Sequence, residues 1–265
     1  MERTAQRFKL VLEFDGRRYS GWQKQDDART IQGSLLAAAG ELYGQGVDVQ
    51  GNGRTDGGVH ALQFVAHLEA ATADAPHELA RRMNALLPQD INILKAQKAG
   101  PRFHARHNCI GRSYLYQLAK RRTAFCKGYV WQLDEPLKVR PMQQAAGLLV
   151  GMHDFTSFTD RQVIKKKSPQ VLINKAQVAE TGDLVLIRIV GSHFLWKMVR
   201  RLAGVLAAIG REQLSSADLQ HFLQEPVNLS PYTAPAQGLF FERAFYNQEE
   251  LDSFLAMDEI RPCFF

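Results

Sequence analysis

The sequence predicts an α+β fold built on a mostly antiparallel sheet, and three observations support this prediction. Several segments alternate apolar and polar residues strictly, as half-buried strands do. Helical segments with one apolar face lie between them. The order of strands and helices lacks the regular strand–helix–strand rhythm of a parallel sheet. We therefore expect the helices to cover one face of the sheet, leaving the other face, or a groove between two halves of the chain, for a ligand.

The first half of the chain is expected to hold strands and two helices. Thr30 is a typical N-cap residue, and Pro76 stands at the start of the second helix, where proline is tolerated. The predicted strands span residues 8–14, 47–49, 62–68 and from 91 onward, and the predicted helices span 31–43 and 76–87. The first strand ends at the turn signal Asp15-Gly16. In the loop that follows, Trp22 either caps the end of the sheet or faces RNA.

The second half repeats this kind of alternation. Residues 171–179 and 184–190 predict a hairpin. The longest predicted helix spans 193–209, with a core stripe that starts at Phe194 and Arg200 near the border of that stripe. Further strands are expected at 112–118 and 238–245, and further helices at 141–150 and from Ser215 or Ser216. We divide the chain into an N-terminal half at 1–101, a C-terminal half at 102–246 and a partly helical tail at 247–265.

The composition and charge are those of a folded basic protein. The chain has 265 residues, of which 45% are hydrophobic and 23% charged, so it can bury one large core or two modest ones. Its formal net charge of +6 favours a polyanionic partner. The basic residues cluster in four places, which exceeds what solubility needs: Arg102 with Arg106, Arg112 with Lys120–Arg122, Lys165–Lys167, and Lys197 with Arg200 and Arg201.

The cysteines and the hydropathy pattern predict a cytoplasmic protein. Cys109, Cys126 and Cys263 are an odd number without CxxC spacing, so neither a disulfide framework nor a zinc site is indicated. No run of 18 apolar residues and no charged-then-apolar leader occurs, so we expect neither a membrane span nor a secretion signal.

One loop, from Gly51 to Ala61, concentrates ionisable residues between two predicted strands. Asp-Gly between alternating apolar runs is typical of a structural hairpin turn. This loop is too long for a tight turn, however, and it carries Arg54, Asp56 and His60. Because loops held by rigid elements often carry chemistry, a functional loop and a structural turn both stay open at this point.

Several function classes lack their sequence motifs. The chain has no GxxxxGK[ST] loop, no GxGxxG opening a helix, no HExxH and no GxSxG, so we expect no cofactor. What remains is a lone carboxylate, aromatic residues and arginines. A carboxylate acts as a nucleophile or a base, aromatic rings stack on bases, and arginine binds phosphate. This combination suits chemistry on a nucleotide in RNA without metal or cofactor.

The loop residues Gly53–Ala61 resemble the GRTDxGVHA signature of the TruA-type tRNA pseudouridine synthases. Further motifs of that family occur in the same order: Gly21-Trp22-Gln23, Asn84–Pro88, Phe103–Arg106, Arg112-x-Tyr114-x-Tyr116, Asp154–Phe158, Met198–Arg200 and Gly238-Leu239. The resemblance spans about residues 8 to 246. Its loop motif is specific enough to outweigh the interpretation as a hairpin turn.

The resemblance implies roles for particular side chains. Asp56 corresponds to the catalytic aspartate, Tyr114 to the tyrosine that packs against the target base, and Arg200 to the arginine that pairs with the aspartate. Arg54 would hold the target nucleotide out of its stack. Further substrate contacts are expected from the matching positions Thr55, His60, Phe103, His104, Arg106 and Leu239.

The resemblance also implies a fold, a substrate and an assembly. Family members have two similar α+β halves flanking a basic cleft, and they work as homodimers in which one tRNA touches both subunits. They isomerise uridine to pseudouridine at positions 38, 39 and 40 of the anticodon arm, without a cofactor. The chain departs from the family at Gly57, where alanine is usual, at Phe194–Lys197, and in a tail that runs past the usual end.

Two other functions fit parts of the sequence. A module that binds structured RNA without catalysis would need only the basic patches and aromatic residues. A glycoside or nucleoside hydrolase would need two carboxylates, with Asp15 or Asp154 as the partner of Asp56.

Overall fold

The computed structural model describes residues 5–165 and 168–263, so Lys166 and Lys167 of the predicted basic run lie outside the described residues. The chain forms two compact units. Unit 1 comprises Met1–Ile110 and Phe240–Tyr246, and unit 2 comprises Gly111–Leu239 and Asn247–Phe265. In the described ranges, no helix has both the length and the apolar character needed to cross a membrane.

The secondary structure mixes strands and helices along the chain. The strands are β1 Gln6–Phe14, β2 Asp48–Gly51, β3 His60–Ala70, β4 Ile91–Ala99, β5 Gly111–Ala119, β6 Trp131–Gln132, β7 Gly151–Asp154, β8 Gln170–Thr181, β9 Leu184–Gly191 and β10 Leu239–Phe245. The helices are α1 Ile31–Tyr43, α2 Pro76–Leu86, α3 Val139–Gly147, α4 Arg161–Ile164, α5 Met198–Gly210, α6 Ser216–Gln224 and α7 Gln248–Leu255. Most strand pairs are antiparallel, which confirms the predicted α+β class.

In unit 1 the strand order is β4-β1-β3-β10. One edge of β3 pairs with β1, and the other edge pairs first with β2, at residues 66–69, and then with β10, at His60 and Ala61. The β10 pairing is parallel. The loop between β2 and β3 therefore leaves the sheet edge at the point where β10 joins it.

The core of unit 1 lies on the face of β1 and β3 that carries Phe8, Leu10, Phe64 and Leu68, all fully buried. Helix α1 packs against β2 and α2, and α2 packs against β4. Trp22 is only 2% exposed and lies 4.3 Å from the Phe64 ring. This burial decides between the two roles considered for Trp22, because the indole closes the end of the core.

In unit 2 the strand order is β5-β9-β8-β7, with β6 parallel to one end of β5. Strands β8 and β9 form the predicted hairpin, which turns at Gly182 with φ +55°. Helix α3 packs against β8 and α5, and α6 packs against β7. The division into an N-terminal half at 1–101, a C-terminal half at 102–246 and a tail at 247–265 remains a prediction. The last strand, β10, pairs with β3 of unit 1.

The helix signals read from the sequence are mostly confirmed. Gly33 N donates to the hydroxyl of Thr30 at 3.2 Å at the start of α1, and Gly44 with φ +78° ends it. Ser215 and Asp218 form a capping box at α6. The tail holds the expected helix, α7. Lys175 Nζ of β8 donates to Leu255 O, at the end of α7, at 2.7 Å.

The helix predicted from residue 193 was wrong at its start. The helix begins at Met198. Lys197 has φ +60°, a left-handed backbone conformation that cannot be part of a right-handed helix, so the helix cannot extend toward residue 193. The Thr159 hydroxyl donates to Trp196 O at 3.0 Å and holds the preceding loop apart from the helix. Phe194 therefore belongs to that loop and not to the core stripe of α5.

Candidate active site

The Asp56 loop connects β2 to β3 and is held by the segment that follows β1. Trp22 N donates to Thr55 O at 3.1 Å, and Gly58 N donates to Tyr19 O at 3.3 Å. Val59 N closes a turn on Asp56 O at 3.2 Å. The loop is thus held by backbone hydrogen bonds on both sides of Asp56, whose side chain is half-buried.

Two glycines allow this close backbone packing. A Cβ at Gly16 would lie 2.0 Å from Val59 O, and a Cβ at Gly21 would lie 2.4 Å from Thr55 O. Gly21 also has φ +95°, a backbone conformation that side chains disfavour. Segment 15–22 and the loop consequently meet main chain to main chain, which leaves little freedom at Asp56.

Gly21→Ala is expected to slow the reaction proposed below about 10²-fold, because the added methyl pushes Thr55 and shifts Asp56. The measurement is the single-turnover rate, together with the melting temperature. Gly40→Ala makes the same change inside α1, where a Cβ meets nothing within 4 Å. The control should keep the wild-type rate and gain up to about 1 kcal/mol of stability. A wild-type rate for Gly21→Ala would contradict this account of the loop.

The side chains next to Asp56 differ in exposure. Arg54 is exposed, whereas Thr55 is buried. The Thr55 hydroxyl has no hydrogen-bond partner within the part of the chain that the structure describes. An exposed arginine before Asp56 suits contact with a large anionic ligand, and the Thr55 hydroxyl can donate one hydrogen bond and accept others.

His60, which follows the loop at the start of β3, is 1% exposed. Its ring stacks on Phe240 with centroids 4.7 Å apart. Its Nδ1 lies 3.2 Å from Asp15 Oδ1 and accepts from Gly16 N at 3.3 Å. These contacts anchor the C-terminal end of the loop, and the substrate contact that the resemblance implies for His60 remains a prediction.

Phe103 and His104 pack against a second histidine of β3, His67, and Arg106 N donates to His104 Nδ1 at 3.1 Å. Ala105 N donates to His67 Nδ1 at 3.2 Å, and the rings of His67 and His104 are 4.7 Å apart. Burial, followed by the charges of His104 and Arg7, lowers the pKa of His67 to about 4. The imidazole is therefore neutral and able to accept this hydrogen bond.

The two histidines of β3, His60 and His67, lie at two separate sites along the strand. His60 and His67 are seven residues apart on one strand, which corresponds to about 23 Å. The structure therefore places the segment around His104 near the opposite end of β3 from Asp56. These residues would meet a different part of a large ligand from the part that reaches Asp56.

In unit 2, Tyr114 is half-buried on β5, and its ring meets Phe194 edge to face at 5.0 Å. Tyr116 points to the same face two residues later and is fully buried. Its hydroxyl donates to Pro235 O at 2.7 Å, and a Cβ at Gly238 would lie 2.8 Å from its ring. Burial raises the pKa of Tyr116 far above its usual range, so it stays a phenol. Tyr116 thereby holds the segment that leads to the buried Leu239.

Arg200 lies in the first turn of α5, and two hydrogen bonds join it to Ala234. Its Nε donates to Ala234 O at 2.7 Å, and Ala234 N donates to Arg200 O at 3.1 Å. These two bonds orient the guanidinium with respect to the helix. A charge oriented in this way is suited to holding a carboxylate or phosphate in one geometry.

Arg201, which belongs with Lys197 and Arg200 to one basic cluster of the sequence, differs in burial from the half-buried Arg200. It is 2% exposed and forms an ion pair with Asp160. Its Nε lies 3.5 Å from the Thr233 hydroxyl. Buried charges require such partners, and Asp160, which follows the Asp154–Phe158 motif, was the signal in the sequence that could have identified the pair.

The loop before α5 presents an aromatic residue that the sequence analysis did not assign to the site. Trp196 is 48% exposed, and Lys197 Nζ lies 4.1 Å from the centre of its ring. Because Thr159 holds the Trp196 carbonyl, the backbone below this indole is fixed. The departure of Phe194–Lys197 from the family pattern was the sequence signal for it.

Comparison with known proteins supplies the family. A family model described as tRNA pseudouridine synthase matches residues 10–108 and 145–247, which include the Asp56 loop, Arg200 and Leu239. The chain belongs to the tRNA pseudouridine synthase family. Tyr114 lies between the two matched segments, and the tail from Gln248 lies beyond them.

Relatives within this family match nearly the whole chain. The tRNA pseudouridine synthase A of Zymomonas mobilis is 38% identical over 244 residues, which cover 91% of this chain and 99% of the relative. The protein of the same name from Nitrobacter hamburgensis is 39% identical over 250 residues, again 91% and 99%. The tRNA pseudouridine synthase A 2 of Clostridium tetani is 33% identical over 248 residues, 92% and 100%.

Proposed function

We propose that this chain isomerises uridine to pseudouridine in tRNA, at positions 38, 39 and 40 of the anticodon stem-loop. Asp56 is the catalytic carboxylate, and the reaction needs no cofactor. Family membership supports the reaction class and the tRNA substrate. The observation that carries the proposal is the family's signature loop, held by backbone hydrogen bonds on both sides of a half-buried aspartate.

The reaction rearranges bonds within one nucleotide. The bond from C1′ to N1 breaks, the uracil turns, and a bond forms from C1′ to C5. The proton lost from C5 is balanced by one gained at N1, so no atom or electron is supplied from outside. Such chemistry needs an ionised carboxylate at the sugar and walls that keep the detached base in place.

Each proposed catalytic residue has one task. Asp56 acts at the sugar of the target uridine. Tyr114 forms a flat wall for the uracil, and its contact with Phe194 fixes the ring. Arg200 keeps Asp56 ionised and oriented, for which its own fixed geometry is suited. Arg54 holds the target out of its stack, and the unstacking costs a few kcal/mol, which phosphate contacts to basic residues offset.

The hydrolase alternative has weaker support. Asp15 lies beside His60 and also accepts from Arg17 Nε at 2.9 Å. Asp154 accepts from Thr156 N at 2.8 Å and from Gln170 Nε2 at 3.1 Å. Both carboxylates thus have structural partners, whereas a second catalytic acid needs a position open to the substrate.

Tritium release tests the proposed reaction. Unmodified tRNA labelled with tritium at C5 of uridine is incubated with the protein without metal or nucleotide. We expect tritium release and no free uracil, whereas free uracil would establish hydrolysis. Binding of tRNA without tritium release would indicate a module that binds RNA without catalysis. Transcripts that retain uridine at only one of positions 38, 39 and 40 test the target sites.

A homodimer and a cytoplasmic location belong to the same proposal. The family resemblance supports both, since a tRNA that touches two subunits needs a dimer. Light scattering at micromolar concentration measures the assembly directly. A monomeric mass with full activity would contradict the dimer.

Trp196→Ala is expected to weaken tRNA binding about 5- to 150-fold, because stacking of a base on an exposed indole is worth about 1–3 kcal/mol. Filter binding at fixed salt measures the Kd. Trp196→Phe should keep most of the affinity. Phe125→Ala removes another exposed ring of unit 2, which is 80% exposed, and should leave the Kd unchanged. Equal Kd values for Trp196→Ala and Phe125→Ala would argue against RNA contact at Trp196.

A further inference from the structure

A buried tyrosine, Tyr19, anchors the segment that holds the Asp56 loop. Tyr19 is 4% exposed, and its hydroxyl donates to the Asp90 carboxylate. Arg29 Nη2 donates to the same hydroxyl at 2.9 Å, lies 3.4 Å from Asp90 and places its guanidinium 4.5 Å from the centre of the Tyr19 ring. The Tyr19 hydroxyl, the Asp90 carboxylate and the Arg29 guanidinium therefore each contact the other two groups.

The cluster holds the segment at two points. Asp90 O accepts from Asp15 N at 2.9 Å, while its carboxylate accepts from Tyr19. Asp90 therefore forms hydrogen bonds with both ends of the turn from Asp15 to Tyr19. The carbonyl of Tyr19 in turn accepts from Gly58 N, two residues after Asp56.

The Tyr19 hydroxyl keeps its proton at neutral pH. Burial, with the hydrogen bond to Asp90 and its negative charge, raises the pKa of Tyr19 to about 12. The phenol is consequently a permanent donor to Asp90 at neutral pH. Its effect on the reaction would pass through the backbone of the loop.

We propose that Tyr19, Asp90 and Arg29 form a positioning network that sets the orientation of Asp56 during the reaction. The inference rests on the proposed function. None of the three is a catalytic residue, since their contacts reach the loop through the carbonyl of Tyr19 and the turn that begins at Asp15. A displacement of about 1 Å at a reacting group costs about 10²-fold in rate, so a small shift of the loop has a large kinetic effect.

A second cluster with the same chemistry provides a matched control. Tyr43 donates to Asp74 Oδ2 at 3.0 Å, and Arg82 Nη1 donates to the same oxygen at 2.7 Å. The Arg82 guanidinium lies 5.7 Å from the Tyr43 ring. This cluster joins the end of α1 to α2, in the same unit. The same substitution, Tyr→Phe, therefore removes one hydroxyl–carboxylate hydrogen bond at each cluster. The Tyr19 cluster is linked to the catalytic loop, whereas the Tyr43 cluster links α1 to α2.

The kinetic experiment compares Tyr19→Phe with Tyr43→Phe. We expect Tyr19→Phe to lower the single-turnover rate of tritium release about tenfold or more, with the tRNA Kd within twofold of wild type. Tyr43→Phe should keep the wild-type rate while it loses a similar amount of thermal stability. Asp90→Asn, which keeps an acceptor for Tyr19, should retain more rate than Asp90→Ala. Equal rates for the two Tyr→Phe variants would overturn the proposal.

Hydrogen exchange gives a readout that does not depend on activity. The Gly58 amide should exchange at least fivefold faster in Tyr19→Phe than in wild type, and at the wild-type rate in Tyr43→Phe. Unchanged protection of Gly58 in Tyr19→Phe would overturn the network. Failure of the proposed function would appear instead as no tritium release from wild type, with the exchange result unaffected.

Discussion

Asp56→Asn is expected to lower the rate of tritium release at least about 10³-fold, because the amide keeps the shape of the side chain but supplies neither a nucleophile nor a base. The half-buried carboxylate lies in a loop held on both sides by backbone hydrogen bonds, so the amide should occupy the same place. Single-turnover release from tRNA labelled at C5 measures the effect. The Kd for tRNA should change no more than about threefold.

A matched carboxylate-to-amide change separates the role of Asp56 from a general effect of charge. Glu41 is exposed on α1, and Glu41→Gln should keep the wild-type rate. Release within tenfold of wild type in Asp56→Asn would exclude Asp56 as the catalytic carboxylate. Loss of tRNA binding in parallel with loss of rate would instead indicate that the loop had unfolded, and hydrogen exchange at Gly58 distinguishes that outcome.

Arg200→Ala is expected to lower the single-turnover rate about 10²- to 10³-fold, because it removes the positive charge proposed to hold Asp56 ionised. The change also leaves the Ala234 carbonyl without its 2.7 Å donor, which costs about 1–3 kcal/mol if that oxygen stays buried. Melting temperature and single-turnover rate, measured together, separate these two effects.

Two further variants sharpen the test of Arg200. Arg200→Lys keeps the charge but loses the planar donor set, so an intermediate rate is expected. Arg140 is exposed on α3, and Arg140→Ala should leave the rate unchanged. A rate for Arg200→Ala equal to that of Arg140→Ala would contradict the assigned role.

Local signals in the sequence were sufficient for most of the secondary structure. Thr30 and Ser215 marked helix starts, because an N-cap needs only a side-chain oxygen and the amides two or three residues on. The hairpin of β8 and β9 followed from alternation and a glycine turn. The exception was the start of α5, where Lys197 adopts a left-handed conformation that its neighbours in sequence do not dictate.

Contacts between distant residues account for what the sequence analysis missed. The sequence shows Arg201 only as one member of a basic cluster, whereas the structure buries it beside Asp160. No local pattern indicates that Phe240 and Asp15 pack against His60. The cluster of Tyr19, Arg29 and Asp90 joins residues up to 71 positions apart, which no local pattern indicates.

By itself, the sequence determined the α+β class, the loop with its single catalytic candidate, Asp56, and the family to which that loop belongs. These depend on residue type and on spacing along a short stretch of chain. The tertiary structure alone decided that β10 pairs with β3, that the His104 segment lies far from Asp56, and that Tyr19 supports the loop. Burial and pairing depend on residues remote in sequence, whose contacts form only when the chain has folded.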